Sequence, residues 1–414
     1  MTWSNAATGR PRSAPITTDG RDQRGGPDAN RDLFAGVLAV LLATGWAANH
    51  FAGLVPAIRD HQHLTASTLD AVFGIYAVGL LPGLLIGGRA SDAWGRQPVA
   101  WVGSVAALLG TVAMLVSLDS AVLLVGRVIV GVGVGFAISS CTAWASDLRG
   151  PSGAAIAGAV LTAGFAIGPF ASGLIASAGQ SGIRVSFAIA AAIVVLATVA
   201  AGLAARRGAV ITPAAAPDPG WSVASTPLRK GSAWALSWAI PLAPWVFASA
   251  TLAFVTIPTR VHTGFAAPMV AGMAALIANG VSALTQIVAR ARRWGPQAGT
   301  VGALLAAFGY AITAVAPSTM ALELGLSMLV VLGCASGLLL REGLIDLEAA
   351  APQRVRGALT GAFYTVSYVG FGLPLLLSTV PKDSAIILAV MAVLALATAA
   401  GRAVRLRRES HRRK

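Results

Sequence analysis

Gly87-Gly88-Arg89-Ala90-Ser91-Asp92-Ala93-Trp94-Gly95-Arg96-Gln97 is a short charged turn between two apolar runs, 69–88 and 98–117. Each run is long enough to cross a hydrocarbon core as a helix, which takes roughly 20 apolar residues. The chain must reverse between them within a few residues. Gly88 and Gly95 supply backbone angles that other residues resist. Arg89 and Arg96 mark the turn as one that stays on the side from which the chain inserts.

The same alternation continues outward in both directions. Of 414 residues, 56% are apolar and 11% charged, and the mean hydropathy is +0.74. A soluble chain of this size covers itself with charge, so most of this surface is expected to face lipid. Strands of a membrane barrel would alternate polar and apolar over roughly 10 residues, and no such alternation is present. The runs predict helices over 33–57, 69–88, 98–117, 121–146, 153–178, 184–205, 233–257, 266–289, 298–316, 319–341, 357–380 and 384–402. The expected class is an all-α membrane protein of twelve transmembrane helices.

Lys and Arg set the orientation. Twenty-five fall in the loops and tails that share a side with both termini, and four (Arg59, Arg184, Arg260 and Lys382) fall in the other loops. Both termini are therefore expected in the cytoplasm, with the chain multi-pass in the cell (inner) membrane. The net charge of +14 follows from these loops and does not indicate nucleic-acid binding. Residues 1–32 are polar and read as a disordered cytoplasmic tail. They lack the order of a cleaved signal peptide. Residues 33–205 form one expected six-helix bundle and 233–402 a second. Residues 206–232, with Pro213, Pro217, Pro219 and Pro227, form a cytoplasmic linker, and 403–414 a basic tail. Cys141 and Cys334 sit in apolar runs as small buried residues. No metal or cofactor is expected.

The halves repeat. Trp94-Gly95-Arg96-Gln97 returns as Trp294-Gly295-Pro296-Gln297, and Ser146-Asp147-Leu148 as Ile345-Asp346-Leu347. Gly158-Ala159 with Thr162 returns as Gly361-Ala362 with Thr365, and Pro56 as Pro258. Four matches in order at nearly one offset point to two parallel halves with a binding site between them.

The opening turn resembles the signature loop of the major facilitator superfamily at Gly88, Asp92, Gly95 and Arg96. It departs from that loop at Gln97, in place of a second basic residue, and at Ala90, in place of Leu. The resemblance extends through helix count, orientation and repeat. It implies two bundles related by a pseudo-two-fold axis, and a gate in which Asp92 meets the start of the eleventh helix near Arg354 and Arg356. A helix N-terminus favours a carboxylate by up to roughly a kcal/mol. Arg96 is expected to pair with Asp147. A plain topology anchor is the competing reading of the loop. In the second copy Arg292 stands where Asp92 would be, which reads as an anchor only.

Arg127 lies inside the fourth helix. A charge there needs water or a partner. With Gly131 it resembles a motif of drug:proton antiporters in which the arginine faces the central cavity. Snorkelling to the headgroups is the alternative. The run Gly131-x-Gly133-x-Gly135 mimics a nucleotide loop but lies within an apolar helix, so close helix packing is expected. Gly164, Gly168-Pro169 and Gly173 in the fifth helix resemble the antiporter motif, with Ser172 where the motif has Gly. The resemblance implies exchange of substrate for protons.

No acidic residue sits clearly at mid-membrane. Asp70, Asp119, Glu323 and Asp383 lie near outer ends, and Glu342, Asp346 and Glu348 near the inner end of the tenth helix. His50 titrates near neutral pH and, with Arg127, is expected to line a cavity or else to be buried and bonded. Asn49, Trp46, Trp144, Trp245, Tyr364 and Tyr368 are candidate substrate contacts, with interfacial anchoring as the alternative for the tryptophans.

The expected function is proton-coupled export of a small lipophilic or cationic molecule by a monomer. An importer or uniporter of the same superfamily and a non-transporting receptor or scaffold are the alternatives. An intramembrane enzyme would need a nucleophile, base or metal cluster, and no His-Glu-x-x-His or paired membrane aspartates are present.

Overall fold

The computed structural model describes residues 27–207, 231–350 and 356–412. The tail before residue 27 and most of the 206–232 linker lie outside the described residues. Twelve helices among them are long and apolar enough to cross a membrane. They are α1 Ala29–Gln62, α2 Ala66–Trp94, α3 Arg96–Val116, α4 Ser120–Gly150, α5 Ser152–Ala176, α6 Gln180–Arg207, α7 Ser232–Arg260, α8 Ala267–Ala291, α9 Gln297–Val315, α10 Leu322–Leu347, α11 Leu359–Thr379 and α12 Pro381–His411. All twelve expected runs are helices. The chain forms two six-helix bundles related by a pseudo-two-fold axis. The end where α1 and α7 begin and α6 and α12 finish is called the linker end, and the opposite one the far end.

The turns are shorter than their polar stretches suggest. Gly95 alone, at φ 94°, separates α2 from α3. Arg149 and Gly150, the latter at φ 63°, take non-helical angles at the very end of α4 and turn the chain into α5. Helix α12 runs on through the stretch read as a basic tail, ending at Arg412.

Small residues set the packing. Without a hydrophobic drive between helices in lipid, association rests on close contact. A Cβ on Gly135 of α4 would stand 2.7 Å from the Gly83 Cα of α2, so the glycine run of α4 lets two backbones meet. Helix α5 seats on α1 in the same way at Gly164 against Gly45.

Prolines break the remaining regularity. Helix α7 passes through a π-turn at Leu252–Thr256 and a 3-10 turn at Ile257–Arg260. Helix α11 tightens to 3-10 at Val369–Gly372, ahead of Pro374. The 3-10 turn of α11 packs on Ala243–Thr251 of α7, the regular stretch just before the π-turn.

Candidate functional site

At the linker end, Arg96 joins three elements. Its Nη1 donates to Asp92 Oδ1 at 2.5 Å and to Ser91 Oγ at 3.1 Å, and its Nε donates to Asp147 Oδ2 at 2.9 Å. The turn at Gly95 brings Arg96 back over the end of α2, and α4 brings Asp147 to meet it. The Asp92 side chain is 72% exposed and is held within its own half. The Arg354 and Arg356 side chains, expected across from it, lie outside the described residues.

The second half is not a bare anchor. Arg402 of α12 is buried and donates from Nη1 to Asp346 Oδ2 at 2.6 Å, and from Nη2 to the Pro296 carbonyl at 3.1 Å. Glu342 Oε2 lies 3.8 Å away, and Arg341 pairs with Glu342. Asp346 is the repeat of Asp147, and Pro296 stands where the first half has Arg96. In the first half the cation stands at the start of α3, in the second it stands on α12, and the backbone of Pro296, the position matching Arg96, accepts its hydrogen bond. Arg402 looks like a tail residue in sequence. Its burial and its three partners on other elements appear only in the fold.

Arg127 reaches neither headgroups nor a central cavity. It is 1% exposed, between α1, α2 and α4. Its Nη1 donates to the Ala48 carbonyl at 3.0 Å and its Nη2 to the Phe73 carbonyl at 3.4 Å. The guanidinium lies over Tyr76 at 4.5 Å and Phe51 at 4.9 Å. Two π faces and two carbonyls solvate the charge in place of a carboxylate. His50 is fully buried, its Nδ1 near the Trp46 and Ala47 carbonyls and its ring edge-on to Phe187. His50 Nε2, Arg127 Nε and the Tyr76 hydroxyl have no hydrogen-bond partner among the described residues.

Asn49 is structural. Pro169 has no N–H, which leaves the Phe165 carbonyl of α5 without its helical donor. Asn49 Nδ2 of α1 donates to that carbonyl at 2.9 Å. Ser172, the departure from the helix-five pattern, donates to the His50 carbonyl at 2.6 Å. The second half has a counterpart. Pro374 withholds an N–H from the Gly370 carbonyl, which accepts the Leu373 N–H in the 3-10 turn instead, and Thr251 Oγ1 of α7 lies 2.9 Å from it, its proton shared with the Phe247 carbonyl at 2.8 Å. Asn49 and Thr251 stand 202 residues apart, the offset of Pro56 and Pro258. Gly168 packs on Trp46 of α1, while Gly173 crosses to the other half, meeting Pro268 and Gly272 of α8.

Two tryptophans expected at the substrate path face elsewhere. Trp144 packs edge-on to Trp101 inside the first bundle. Trp245 donates from Nε1 to Thr398 and meets Tyr310 inside the second. Each fills a gap between helices of its own half. Tyr364 and Tyr368 lie side by side on α11, their rings 6.3 Å apart. Tyr368 stacks on Phe247 at 4.5 Å and lies 5.2 Å from Phe371. Phe371 stacks on Phe73 of the first half at 5.4 Å, and Phe73 meets Phe254 edge-on at 6.1 Å. These rings form an aromatic floor shared by α2, α7 and α11. Above it, toward the far end, lies a cleft of about 700 Å³ lined from both halves, with Arg59, Asp70, Phe254, Arg260 and His262 among its walls.

The sequence profile of the Major Facilitator Superfamily matches residues 35–375. The chain belongs to that superfamily. Among curated proteins it is similar to the 3-(3-hydroxy-phenyl)propionate transporter of Escherichia coli (strain K12), at 28% identity over 116 residues. That match spans 28% of this facilitator and 28% of the relative's length. Solved structures share the fold. A variant of the peptide transporter POT in complex with alafosfalin superposes with TM-score 0.73 at 12% identity, over 90% of this chain and 94% of that one. The POT family transporter PepTSo superposes with TM-score 0.70 at 13% identity, over 92% and 98%. This facilitator is thus a multi-pass membrane protein and a secondary transporter by family.

Proposed function

We propose that this facilitator is a proton-coupled transporter that moves a small, largely apolar solute between its two halves by alternating access. The observation that carries the reading is the shared aromatic floor: Phe73 from one half and Phe254 and Phe371 from the other close the path beneath the cleft. A solute passes only if the halves part there. The lipophilic part of the expected substrate class suits such a floor. Among the described residues the acid nearest this path is Asp70 in the cleft wall.

Export is the first reading of direction, and the α5 pattern supports it. Gly164 and Gly168 pack α5 on α1, and Gly173 packs it on α8 of the other half, so a bend at Pro169 is felt in both bundles. Asp92 serves as the latch at the linker end, taken to be cytoplasmic from the count of basic residues, with both termini there. Uptake is the second reading. It is favoured by the cleft opening at the far end. The working unit is a monomer in the inner membrane, since the path lies within one chain.

Reconstitution into vesicles holding a pH-sensitive dye tests the proposal. Proton movement that appears only when a solute is added supports coupling, and its sign relative to solute flux separates export from uptake. Solute flux with no proton movement refutes coupling.

A further inference from the structure

The far-end cleft carries a charge pattern that neither fold nor topology requires. Positive residues are depleted from loops that cross the membrane, and only four of thirty Lys and Arg fall at the far end. Two of those four, Arg59 and Arg260, line this one cleft. They come from corresponding helix ends of the two halves though not from matching positions, Arg59 three residues past Pro56 in α1 and Arg260 two residues past Pro258 in α7. One cation thus reaches the cleft from each half.

Arg260 is built into place. Its Nη1 donates to the Thr313 carbonyl of α9 at 3.1 Å. Its own carbonyl accepts the Met320 N–H at 2.7 Å, and Val261 beside it forms an isolated bridge with Met320. Among the described residues no carboxylate forms an ion pair with it. Arg260 thus lines the cleft as a cation with no paired anion among the described residues. Arg59 is less committed, with Nε 3.6 Å from a well-exposed Asp60. His262 adds a third basic group, and Asp70 of α2 is the acid in the lining. Elements α8, α11 and α12 contribute no charged side chain to these walls.

Below the arginines the walls turn apolar, through Ala52, Val55 and Leu69 down to Phe254. The volume suits a single small molecule, since ligand sites run from roughly 300 to 1,000 Å³. A guanidinium matches a carboxylate in a planar, two-point contact. The cleft is thus basic at its rim and aromatic at its floor.

We propose that this cleft captures a small organic carboxylate with an apolar, ring-bearing body, Arg260 and Arg59 holding the carboxylate and the Phe254 floor receiving the ring. This rests on the transport reading above and names its substrate class, whichever the direction. Three probes of one shape separate the terms: 3-phenylpropionate, its neutral amide and 3-phenylpropylamine. Binding is read first, as thermal stabilisation of the detergent-solubilised full chain, and transport second, as counterflow in vesicles.

The acid is expected to stabilise the protein at concentrations about tenfold below the amide, as a charge-assisted hydrogen bond allows. Arg260→Gln should remove that advantage while leaving amide binding within about twofold, and Arg260→Lys should retain part of it, because it keeps the charge and loses the fork. Arg59→Gln should give a smaller loss. Equal stabilisation by acid and amide, preference for the amine, or parallel loss of acid and amide binding in Arg260→Gln overturns the proposal. Acid-specific binding without counterflow keeps the site and refutes the transport reading, and counterflow of amide or amine but not acid does the reverse.

Discussion

Asn49 can be removed in two backgrounds, and the two costs should differ. Its Nδ2 donates at 2.9 Å to the Phe165 carbonyl, which lacks a helical donor because residue 169 is proline. The side chain is 8% exposed, so water does not readily replace it. An unsatisfied buried acceptor costs about 1–3 kcal/mol, and hydrogen bonds between membrane helices lie lower, at roughly 0.6 and up to about 1.7 kcal/mol. Asn49→Ala should therefore destabilise by about 1 kcal/mol. In Pro169→Ala, the new N–H of residue 169 can serve the Phe165 carbonyl. There the same Asn49→Ala change should cost less than about 0.5 kcal/mol, so the coupling is most of the effect. The assay is equilibrium unfolding by SDS in mixed micelles, followed by tryptophan fluorescence, for all four members of the cycle. Equal costs in both backgrounds refute the reasoning. A stability-neutral Asn49→Ala with a raised half-saturating solute concentration also refutes it, and returns Asn49 to the substrate path.

Gly173→Leu places a side chain where α5 meets Pro268 and Gly272 of α8. It should hold the far-end seam apart, so that A176C becomes reactive to a membrane-impermeant maleimide and flux is lost, with yield retained. Asp92→Asn leaves the Arg96–Asp147 pair standing. It should cut flux about fivefold, as a helix-terminus interaction of about 1 kcal/mol implies, without moving the unfolding midpoint. Arg402→Met takes from Asp346 its hydrogen-bonded cation and leaves Glu342 with Arg341 alone. It should cost about 3–5 kcal/mol, and adding Glu342→Gln with Asp346→Asn should recover much of the folded yield in detergent.

Much of the fold was legible in the chain. Apolar run length is a one-dimensional property, and the bilayer reads it directly. The glycine run of α4 was legible as a packing face, because only small residues let backbones meet. Gly95, at a positive φ, was legible as the turn because glycine alone takes that angle freely, whereas Gly88, expected to bend with it, stays helical within α2. The candidate site was legible only in part. Tyr364 and Tyr368 could be named from helix identity, yet Trp144 and Trp245 are as aromatic and point into their own bundles. Helical rotation about the axis decides that, and a near-uniformly apolar helix carries little periodic signal to reveal it.

What the sequence determined by itself was the list of spans, their repeat and the loop that marks the superfamily. Each follows from local composition or spacing. What only the tertiary structure decided was partnership. Asn49 serves a proline-freed carbonyl 116 positions away, and Arg402 of α12 meets Asp346 of α10. Arg127 is solvated by rings and carbonyls with no acid beside it. Arg59 and Arg260 share one cleft. The physical reason is the same in each case. A buried polar group must be satisfied by whatever the fold brings within about 3 Å, and in a bundle of twelve helices that neighbour is set by packing and not by proximity along the chain.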